Sequence, residues 1–313
     1  MSASTIVIVN PQARGGFAAR RWPLIEPELR AALGPLTLRT TTRVGEGTQL
    51  AKAAALAGAR LVIALGGDGT ASEIAAGLLQ AQEQLPGGEP TCSFGYLPCA
   101  TGGDLRRSLG RPEELGAAAR AIAAAPGRLL DAGQLEFTGH DGRPQRRYFL
   151  NIASAGLSGL VDLFANQSSK RLGGFATFVV ASARAALRYK NPRVRVRLDD
   201  GAFAEMRLYT LVVANGGYFG GGMHIAPDAC LDDGVFDVIT LGDLSPPETV
   251  VLLPHLYKGT HLTLRKVTAA KARSVRVELC EPSDRVLLDV DGETPGRLPA
   301  RWTMLPRALH FRG

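Results

Sequence analysis

The sequence has 313 residues, enough for a large buried core and about the size of two ordinary domains. Its residues are 45% hydrophobic and 21% charged, a balance that excludes a disordered chain. The net charge of +7, carried mostly by arginine, suits an anionic lipid surface, although an arginine- and alanine-rich genome explains it equally well. The chain has no run of five like charges and no interleaving of basic and aromatic residues, so nucleic acid is not an expected partner.

The first part of the chain alternates strand-like and helix-like patterns, which predicts a parallel sheet with helices on both faces. Strands are predicted at residues 5–9, 36–41, 61–65 and 94–97. Helices are predicted at residues 18–33, interrupted at Pro23 and Pro27, and at 47–57, 71–82 and 113–125. Because ligands bind at the carboxyl ends of such strands, the polar residues there are the first candidates for a site.

After about residue 130 the pattern changes to short strands separated by turn signals. Residues 193–198 alternate arginine with apolar side chains, as in a strand with one solvated face. Further strands are predicted at residues 128–137, 147–153, 206–214, 235–241, 274–279 and 286–290, around one helical stretch at 161–189. We therefore expect a second, mostly antiparallel β domain, built as a sandwich or an open barrel.

A glycine turn with an acid inside it follows the strand predicted at residues 61–65. It consists of Gly66, Gly67, Asp68, Gly69 and Thr70. The glycines let a ligand approach the backbone, Thr70 could cap the next helix, and a helix N-terminus attracts phosphate. Asp68 would repel a phosphate unless a cation or a hydroxyl lies nearby. A purely structural turn is the alternative, but the combination favours an anion site.

A second glycine turn, with Thr101 and Asp104, follows the strand predicted at residues 94–97. Thr101 and the glycine amides could bind phosphate and Asp104 could cap a helix, although a plain turn explains the segment at least as well. Asn10 and Thr41 follow two other strands of the same predicted sheet. Four segments thus converge at one sheet edge, which we interpret as a ligand site.

Two acidic clusters lie in the second domain. Residues 232–237 include three aspartates that suggest a cation site, although a solvated turn explains them better. Residues 289–293 include three carboxylates around one glycine. If the preceding strand continues, Asp289 and Asp291 share a face, and one could act as a general base with the other in support. A hairpin turn is the alternative.

The four cysteines lack the spacing of a zinc site, so we expect free thiols. The chain begins with a strand-like segment in place of a leader, and no apolar run reaches the length of a membrane span. These features predict a cytoplasmic protein that associates with membranes only peripherally.

Together these segments resemble the diacylglycerol kinase catalytic-domain family of lipid kinases, which includes soluble bacterial diacylglycerol and phosphatidylglycerol kinases and the sphingosine and ceramide kinases. The matching motifs, in family order, are Asn10-Pro11, Gly66-Gly67-Asp68-Gly69-Thr70, Thr101-Gly102-x-Asp104-Leu105-x-Arg107, Phe149-Leu150-Asn151, Gly220-Gly221-Gly222-Met223, Asp233-Gly234 and Asp291-Gly292-Glu293. At the second turn the family usually has Gly-Thr-x-Asn-Asp, and Ala100 and Gly103 depart from that pattern.

The resemblance implies transfer of the γ-phosphoryl group of ATP to a lipid hydroxyl, that of diacylglycerol or a related lipid, with ATP and Mg²⁺ in a cleft between two domains. Residues 1–130 would form a nucleotide-binding domain similar to those of 6-phosphofructokinase and NAD kinase. Residues 131–298 would form a β-sandwich for the lipid, and residues 299–313 would return to the first domain. Basic residues near 175–190 could contact an anionic membrane surface, and a homodimer is left open.

The resemblance also implies roles for single residues. Nucleotide-binding positions would be Asn10, Pro11, Gln12, Ala13, Arg14, Thr41, Gly66, Gly67, Asp68, Gly69, Thr70, Ala71, Ser72 and Thr101. The catalytic base would be Glu293 or Asp291, and Asp68 would hold Mg²⁺. A structural Mg²⁺ would bind Asp233 and backbone carbonyls near Cys230 and Val235.

Two other functions are considered. An NAD kinase shares the Gly-Gly-Asp-Gly-Thr turn, but the Asn10-Pro11 and Asp291-Gly292-Glu293 segments disfavour it. A regulatory module that binds nucleotide without catalysis is kept open by the altered second glycine turn.

Overall fold

The computed structural model describes residues 5–85, 87, 90–99, 102–167 and 174–313. The chain forms two compact units. Unit 1 contains Met1–Ala132 and Pro306–Gly313, and unit 2 contains Gly133–Leu305.

Unit 1 is built on a parallel sheet. Its strands are β1 (Thr5–Val9), β2 (Leu36–Thr40), β3 (Leu61–Gly66) and β4 (Ser93–Pro98), and its helices are α1 (Phe17–Leu33), α2 (Glu46–Leu56), α3 (Asp68–Gln82), α4 (Asp104–Ser108) and α5 (Leu115–Ala124). The strand order is β2-β1-β3-β4, with every neighbouring pair parallel. β3 is buried along its whole length, as expected for a central strand covered by helices. The predicted α/β domain is confirmed.

Packing decides two local features of unit 1 that the sequence patterns did not predict. Pro23 and Pro27 lie inside α1 without ending it, because Trp22 and Leu29 are buried on the side of the helix that faces the core. α2 and α3 approach closely at Gly77, where a Cβ would lie 2.3 Å from the Thr48 carbonyl oxygen. A glycine is therefore required at this helix crossing.

Unit 2 is mostly antiparallel. Its strands are β5 (Arg128–Gly139), which starts in unit 1, β6 (Pro144–Phe149), β7 (Ile152–Gly156), β8 (Arg193–Leu198), β9 (Ala204–Arg207), β10 (Thr210–Ala214), β11 (Tyr218–Phe219), β12 (Met223–His224), β13 (Phe236–Leu241), β14 (Val267–Ala272), β15 (Ser274–Leu279), β16 (Leu288–Val290) and β17 (Gly296–Phe311), which ends in unit 1. Its helices are α6 (Leu157–Gln167), α7 (Gly174–Arg188) and α8 (Pro246–Lys258), with a 3-10 turn at His261–Thr263.

The core of unit 2 lies between two groups of strands. One sheet has the order β14-β13-β10-β7-β16, and the other contains β17-β15-β8-β9 with β5 and β6 attached. Phe149 and Phe236 stack between them with ring centroids 5.7 Å apart, beside the fully buried Trp302. Helices α6, α7 and α8 cover the other face of the first sheet. The predicted mostly antiparallel second domain is confirmed.

Several predicted boundaries in unit 2 differ from the structure. The helical stretch at 161–189 is two helices, and the predicted strand at 206–214 is β9 and β10. α8 was not predicted, although Ser245 and Glu248 form a capping box at its start. All four cysteines are free. Among the described residues, no helix has both the length and the hydropathy needed to cross a membrane.

Candidate functional site

The carboxyl ends of β1, β2 and β3 meet at one edge of the sheet in unit 1. The amide of Asn10, directly after β1, donates to the Leu65 carbonyl at 3.0 Å, and the amide of Thr41, directly after β2, donates to the Val9 carbonyl at 3.0 Å. Three of the four segments expected at this edge are therefore neighbours. The fourth contains residues 100–101, which lie outside the described part of the chain.

Asn10 connects the loop after β1 to the first turn of α3. Its Nδ2 donates to Oγ1 of Thr70 at 3.2 Å, and its Oδ1 accepts the amide of Gln12 at 3.0 Å. The prediction that Thr70 caps the helix is wrong, because α3 already begins at Asp68 and Gly67 is its N-cap residue. Gly67 has no side chain to cap the helix, so the first-turn amides can receive an external anion.

Two glycines of this turn have different surroundings. A Cβ on Gly66 would lie 2.6 Å from Oγ1 of Thr70, so a larger residue would displace the threonine. A Cβ on Gly69 would have no atom within 4 Å. Gly66 is therefore needed for packing, whereas Gly69 borders open space where a ligand can approach the backbone.

The Asp68 carboxylate is fixed by two hydrogen bonds. Its Oδ1 accepts the Tyr96 hydroxyl at 2.9 Å, and its Oδ2 accepts the Asp104 amide at 2.7 Å. Burial, and secondly the Asp68 charge, raise the pKa of Tyr96 well above its usual value, so the phenol stays protonated and remains a donor. A carboxylate has about four lone-pair positions, so Asp68 retains capacity to accept from water.

The second glycine turn leads into the short helix α4. The prediction that Asp104 caps this helix is wrong: Gly103, with φ of 67°, is the N-cap, and Asp104 is the first helical residue. The buried Asp104 carboxylate pairs with Arg107 at 2.9 Å. A left-handed N-cap suits glycine, which explains why glycine at this position is compatible with the turn.

Residues 289–293 form a tight turn after β16. The strand ends at Val290, and Asp291 has φ of 49°, so Asp289 and Asp291 do not continue one strand face as predicted. The Asp291 carboxylate accepts the amides of Ile152 at 3.0 Å and Leu150 at 3.4 Å. Asp291 therefore holds the start of β7 as well as being a candidate base.

The Glu293 carboxylate has a different environment from that of Asp291. It pairs with Arg147 at 2.6 Å, and the two side chains are 40% and 43% exposed. An ion pair this exposed is weak and opens easily, so the Glu293 carboxylate is accessible to a substrate hydroxyl.

The predicted metal-binding segment in unit 2 is an ion-paired turn. Asp233 pairs with Lys271 at 2.9 Å and accepts the Val235 amide at 3.2 Å, while Lys271 also pairs with Asp237 at 3.2 Å. The Cys230 thiol donates to Asp232 at 3.0 Å. No three His, Cys, Asp or Glu side chains in the described ranges converge as metal ligands do. Lys271 supplies the local positive charge, and a metal at Asp233 stays a prediction.

Three residues around these segments were not predicted. The available signal for Tyr96 is its hydroxyl group within the buried strand β4. Glu73, whose carboxylate accepts the amides of Gly45 at 2.8 Å and Gly47 at 2.9 Å, fixes the start of α2 from within α3. Neither Glu73 nor Arg147 carries a sequence signal, because each acts on residues that are distant in the chain.

Two protein-family models match the chain. Residues 4–135 match the diacylglycerol kinase catalytic domain, and residues 151–312, more than half of the chain, match the YegS C-terminal NAD kinase beta sandwich-like domain. Similarity therefore extends over both units.

Individual proteins show the same similarity. A probable lipid kinase YegS-like protein of Chromohalobacter salexigens is 35% identical over 68% of this chain and 66% of its own length. A diacylglycerol kinase of Bacillus subtilis is 28% identical over 97% of this chain and 94% of its own. The crystal structure of a diacylglycerol kinase from Bacillus anthracis superposes with a TM-score of 0.71, over 99% of this chain and 96% of that one, at 21% identity, which supports the fold.

Proposed function

Because this chain belongs to the diacylglycerol kinase family of lipid kinases, we propose that it transfers the γ-phosphoryl group of ATP to the hydroxyl of diacylglycerol or a closely related lipid. The observation that carries the proposal is the open first turn of α3, with Gly67 as its N-cap, open space at Gly69 and a fixed carboxylate at Asp68. These features combine an anion site with an acid that can face a cation.

The ATP phosphates would bind to backbone amides between Gly66 and Thr70. The Asn10 side chain, already bonded to Thr70, would hold the loop after β1 against the same phosphates. The nucleotide would make further contacts with residues 11–14, Thr41, Ala71, Ser72 and Thr101. Amides aimed at a phosphate stabilise the charge that develops during transfer without reorganising.

Asp68 would hold Mg²⁺ through water, using the lone pairs left by its bonds to Tyr96 and Asp104. The ion, when bound, neutralises charge on the transferred phosphoryl group. Tyr96 would keep the Asp68 carboxylate in one orientation during this process.

The proton of the lipid hydroxyl would pass to Glu293 or Asp291. Glu293 is the more accessible, since its one ion pair among the described residues, with Arg147, is itself exposed. Asp291 is held by two backbone amides, so its carboxylate is well positioned but its lone pairs are partly used. A carboxylate within reach of the hydroxyl acts as a general base in either case.

The lipid would reach the protein from a membrane surface. On α7, Arg184 and Arg188 lie 5.0 and 5.5 Å from the Phe164 ring, and Leu187 is 79% exposed. Two arginines beside an exposed leucine suit an interface with anionic headgroups. Residues 175–187 would cover the lipid tails, and of these the side chains of residues 180–187 lie in the described part of the chain. A homodimer stays a prediction.

A transfer assay with radiolabelled ATP tests the proposal. Purified protein is incubated with Mg²⁺ and mixed micelles of diacylglycerol, phosphatidylglycerol, ceramide or a sphingoid base, and with NAD in a separate reaction. We expect a labelled phospholipid, formed fastest from diacylglycerol. Labelled NADP would instead support an NAD kinase, and tight ATP binding without any labelled product would support a regulatory module.

A further inference from the structure

A cluster of four polar side chains, two buried and two partly buried, connects α6 to β16 in unit 2. Ser154 of β7 faces Asp289 of β16 in the strand register, and its hydroxyl lies 3.2 Å from Oδ2 of Asp289. The Ser158 hydroxyl lies 2.7 Å from that of Ser154. Asp162, one turn further along α6, places its carboxyl group beside that of Asp289. The buried Asp289 carboxyl group thus meets that of the partly buried Asp162.

The hydrogen bonds of this cluster require one of the two carboxyl groups to be protonated. Oδ2 of Asp162 is fully buried, and no donor among the described residues reaches it. Two ionised carboxylates in contact would repel each other strongly, whereas a carboxylic acid donating to a carboxylate satisfies both groups. Asp289 already accepts hydrogen bonds from the Gly292 amide and the Ser154 hydroxyl, whereas Oδ2 of Asp162 has no donor in the described part of the chain, so the geometry assigns the proton to Asp162. Burial, followed by the Asp289 charge, raises the pKa of Asp162 well above its usual value, which agrees with this assignment.

Asp289 also bonds to the turn that contains the candidate bases. Its Oδ1 accepts the Gly292 amide at 2.9 Å, in the middle of residues 291–293. α6 also packs directly on this segment: a Cβ on Gly159 would lie 2.7 Å from the carbonyl carbon of Leu287, and the Thr294 hydroxyl lies 3.4 Å from the Gly159 carbonyl oxygen. The first two turns of α6 therefore form the support of the turn.

We propose that Asp162 is a positioning residue, which donates a hydrogen bond to Asp289 and thereby holds the Asp291-Gly292-Glu293 turn in the geometry needed for proton transfer. The assignment of a catalytic base to this turn rests on the proposed function. The support of the turn by Asp162 is a separate physical statement and can be measured without any substrate.

Hydrogen–deuterium exchange of the full chain measures that support. Asp162→Ala removes the donor, and we expect amides within residues 287–295 to exchange about tenfold faster. Asp162→Asn replaces the carboxyl proton by an amide N–H, which can donate to Asp289, and should restore exchange close to that of the wild type. Val161→Ala is the matched control, since Val161 is a buried neighbour in α6 that packs into the hydrophobic core.

Kinetics with diacylglycerol in mixed micelles provide the second readout. Asp162→Ala should lower kcat by about 10- to 100-fold with the KM for ATP unchanged, because the base is displaced while the nucleotide site is intact. Asp162→Asn should remain within about threefold of the wild type, and Val161→Ala should retain full activity.

Equal exchange of residues 287–295 in Asp162→Ala and Val161→Ala would overturn the proposal. So would an Asp162→Asn variant as impaired as Asp162→Ala, because a proton donor would then be irrelevant. If the wild type itself phosphorylates no lipid, the proposed function fails, but the exchange experiment still decides whether Asp162 holds the turn.

Discussion

The Tyr96 hydroxyl lies 2.9 Å from Oδ1 of Asp68 and ties β4 to the first turn of α3. Tyr96 is only 1% exposed, so water cannot replace Asp68 as its partner. The bond has a double consequence. It gives the buried Tyr96 hydroxyl a hydrogen-bond acceptor, and it orients Asp68, the acidic side chain in a turn otherwise suited to phosphate.

Asp68→Ala should therefore abolish phosphoryl transfer while the protein remains folded. We also expect the variant to lose about 1–3 kcal/mol of stability, because the Tyr96 hydroxyl and the Asp104 amide lose their acceptor. Urea unfolding and the lipid kinase assay measure the two effects. Tyr96→Phe, which keeps the carboxylate but removes one of its two donors, should reduce kcat by about tenfold. Full activity of Asp68→Ala would contradict the phosphate-site assignment.

Alanine substitutions at Gly66 and at Gly69 should differ in their effects on stability. Gly66→Ala forces Thr70 to move and should cost about 1–3 kcal/mol of stability. Gly69→Ala adds a methyl group in open space on a helix, so stability should stay equal or rise by up to about 1 kcal/mol. If the phosphates lie against this backbone, Gly69→Ala weakens ATP binding despite its intact stability. Thermal unfolding with calorimetric ATP titration separates these effects, and unchanged ATP affinity would place the phosphates elsewhere.

Glu293→Gln and Asp291→Asn should distinguish the two candidate bases. Glu293→Gln breaks an exposed ion pair with Arg147, so we expect unchanged stability and a fall in kcat of about 100-fold or more. Asp291→Asn weakens the acceptor of the Ile152 and Leu150 amides and should lower stability as well. Arg147→Met is the control for the ion pair. Full activity of Glu293→Gln would assign the base to Asp291.

Acid should weaken the start of α8 through Glu248. Hydrogen bonds from Lys266, then from the backbone and hydroxyl of Ser245, lower the pKa of Glu248 from 4.5 to about 2. A lowered pKa in the folded state stabilises the protein above the unfolded pKa, and this contribution is lost as pH falls from about 4.5 to about 2. Glu248→Gln and Lys266→Met should both flatten the pH dependence of unfolding in that range. Wild type and Glu248→Gln curves that run parallel would refute this.

Magnesium should bind at Asp233 only if the ion displaces Lys271. Lys271→Met frees the Asp233 and Asp237 carboxylates, and we expect it to increase the thermal stabilisation produced by Mg²⁺. Asp233→Asn should remove that stabilisation. A wild type whose melting temperature is insensitive to Mg²⁺, together with an insensitive Lys271→Met variant, would exclude the site.

The sequence predicted best where one short segment carries the whole physical argument. The run before Gly66 predicted a buried parallel strand, and the turn after it predicted the start of a helix, because strand, turn and helix are contiguous. The anion site at that helix N-terminus stays a prediction. Arginine alternation at residues 193–198 likewise predicted a strand with one exposed face, which is β8.

Prediction failed where the partner of a residue is distant in the chain. Neither the bond from Tyr96 to Asp68 nor the pairing of Asp162 with Asp289 leaves a local pattern, because each is produced by tertiary packing. The shared face expected for Asp289 and Asp291 failed for a related reason. A strand period says nothing about where the strand ends, and φ of 49° at Asp291 ends it.

The end of β17 has a consequence for how the nucleotide-binding unit acquires its structure. Phe311 pairs with Phe94 of β4, and the Arg312 amide donates to the Phe94 carbonyl at 2.8 Å, although the whole of unit 2 separates these residues in sequence. During synthesis β4 emerges long before this partner, so its edge stays open. Such distant contacts slow folding, and an open strand edge invites aggregation. Residues 1–132 alone would therefore make a poor fragment, even though they contain every candidate phosphate ligand.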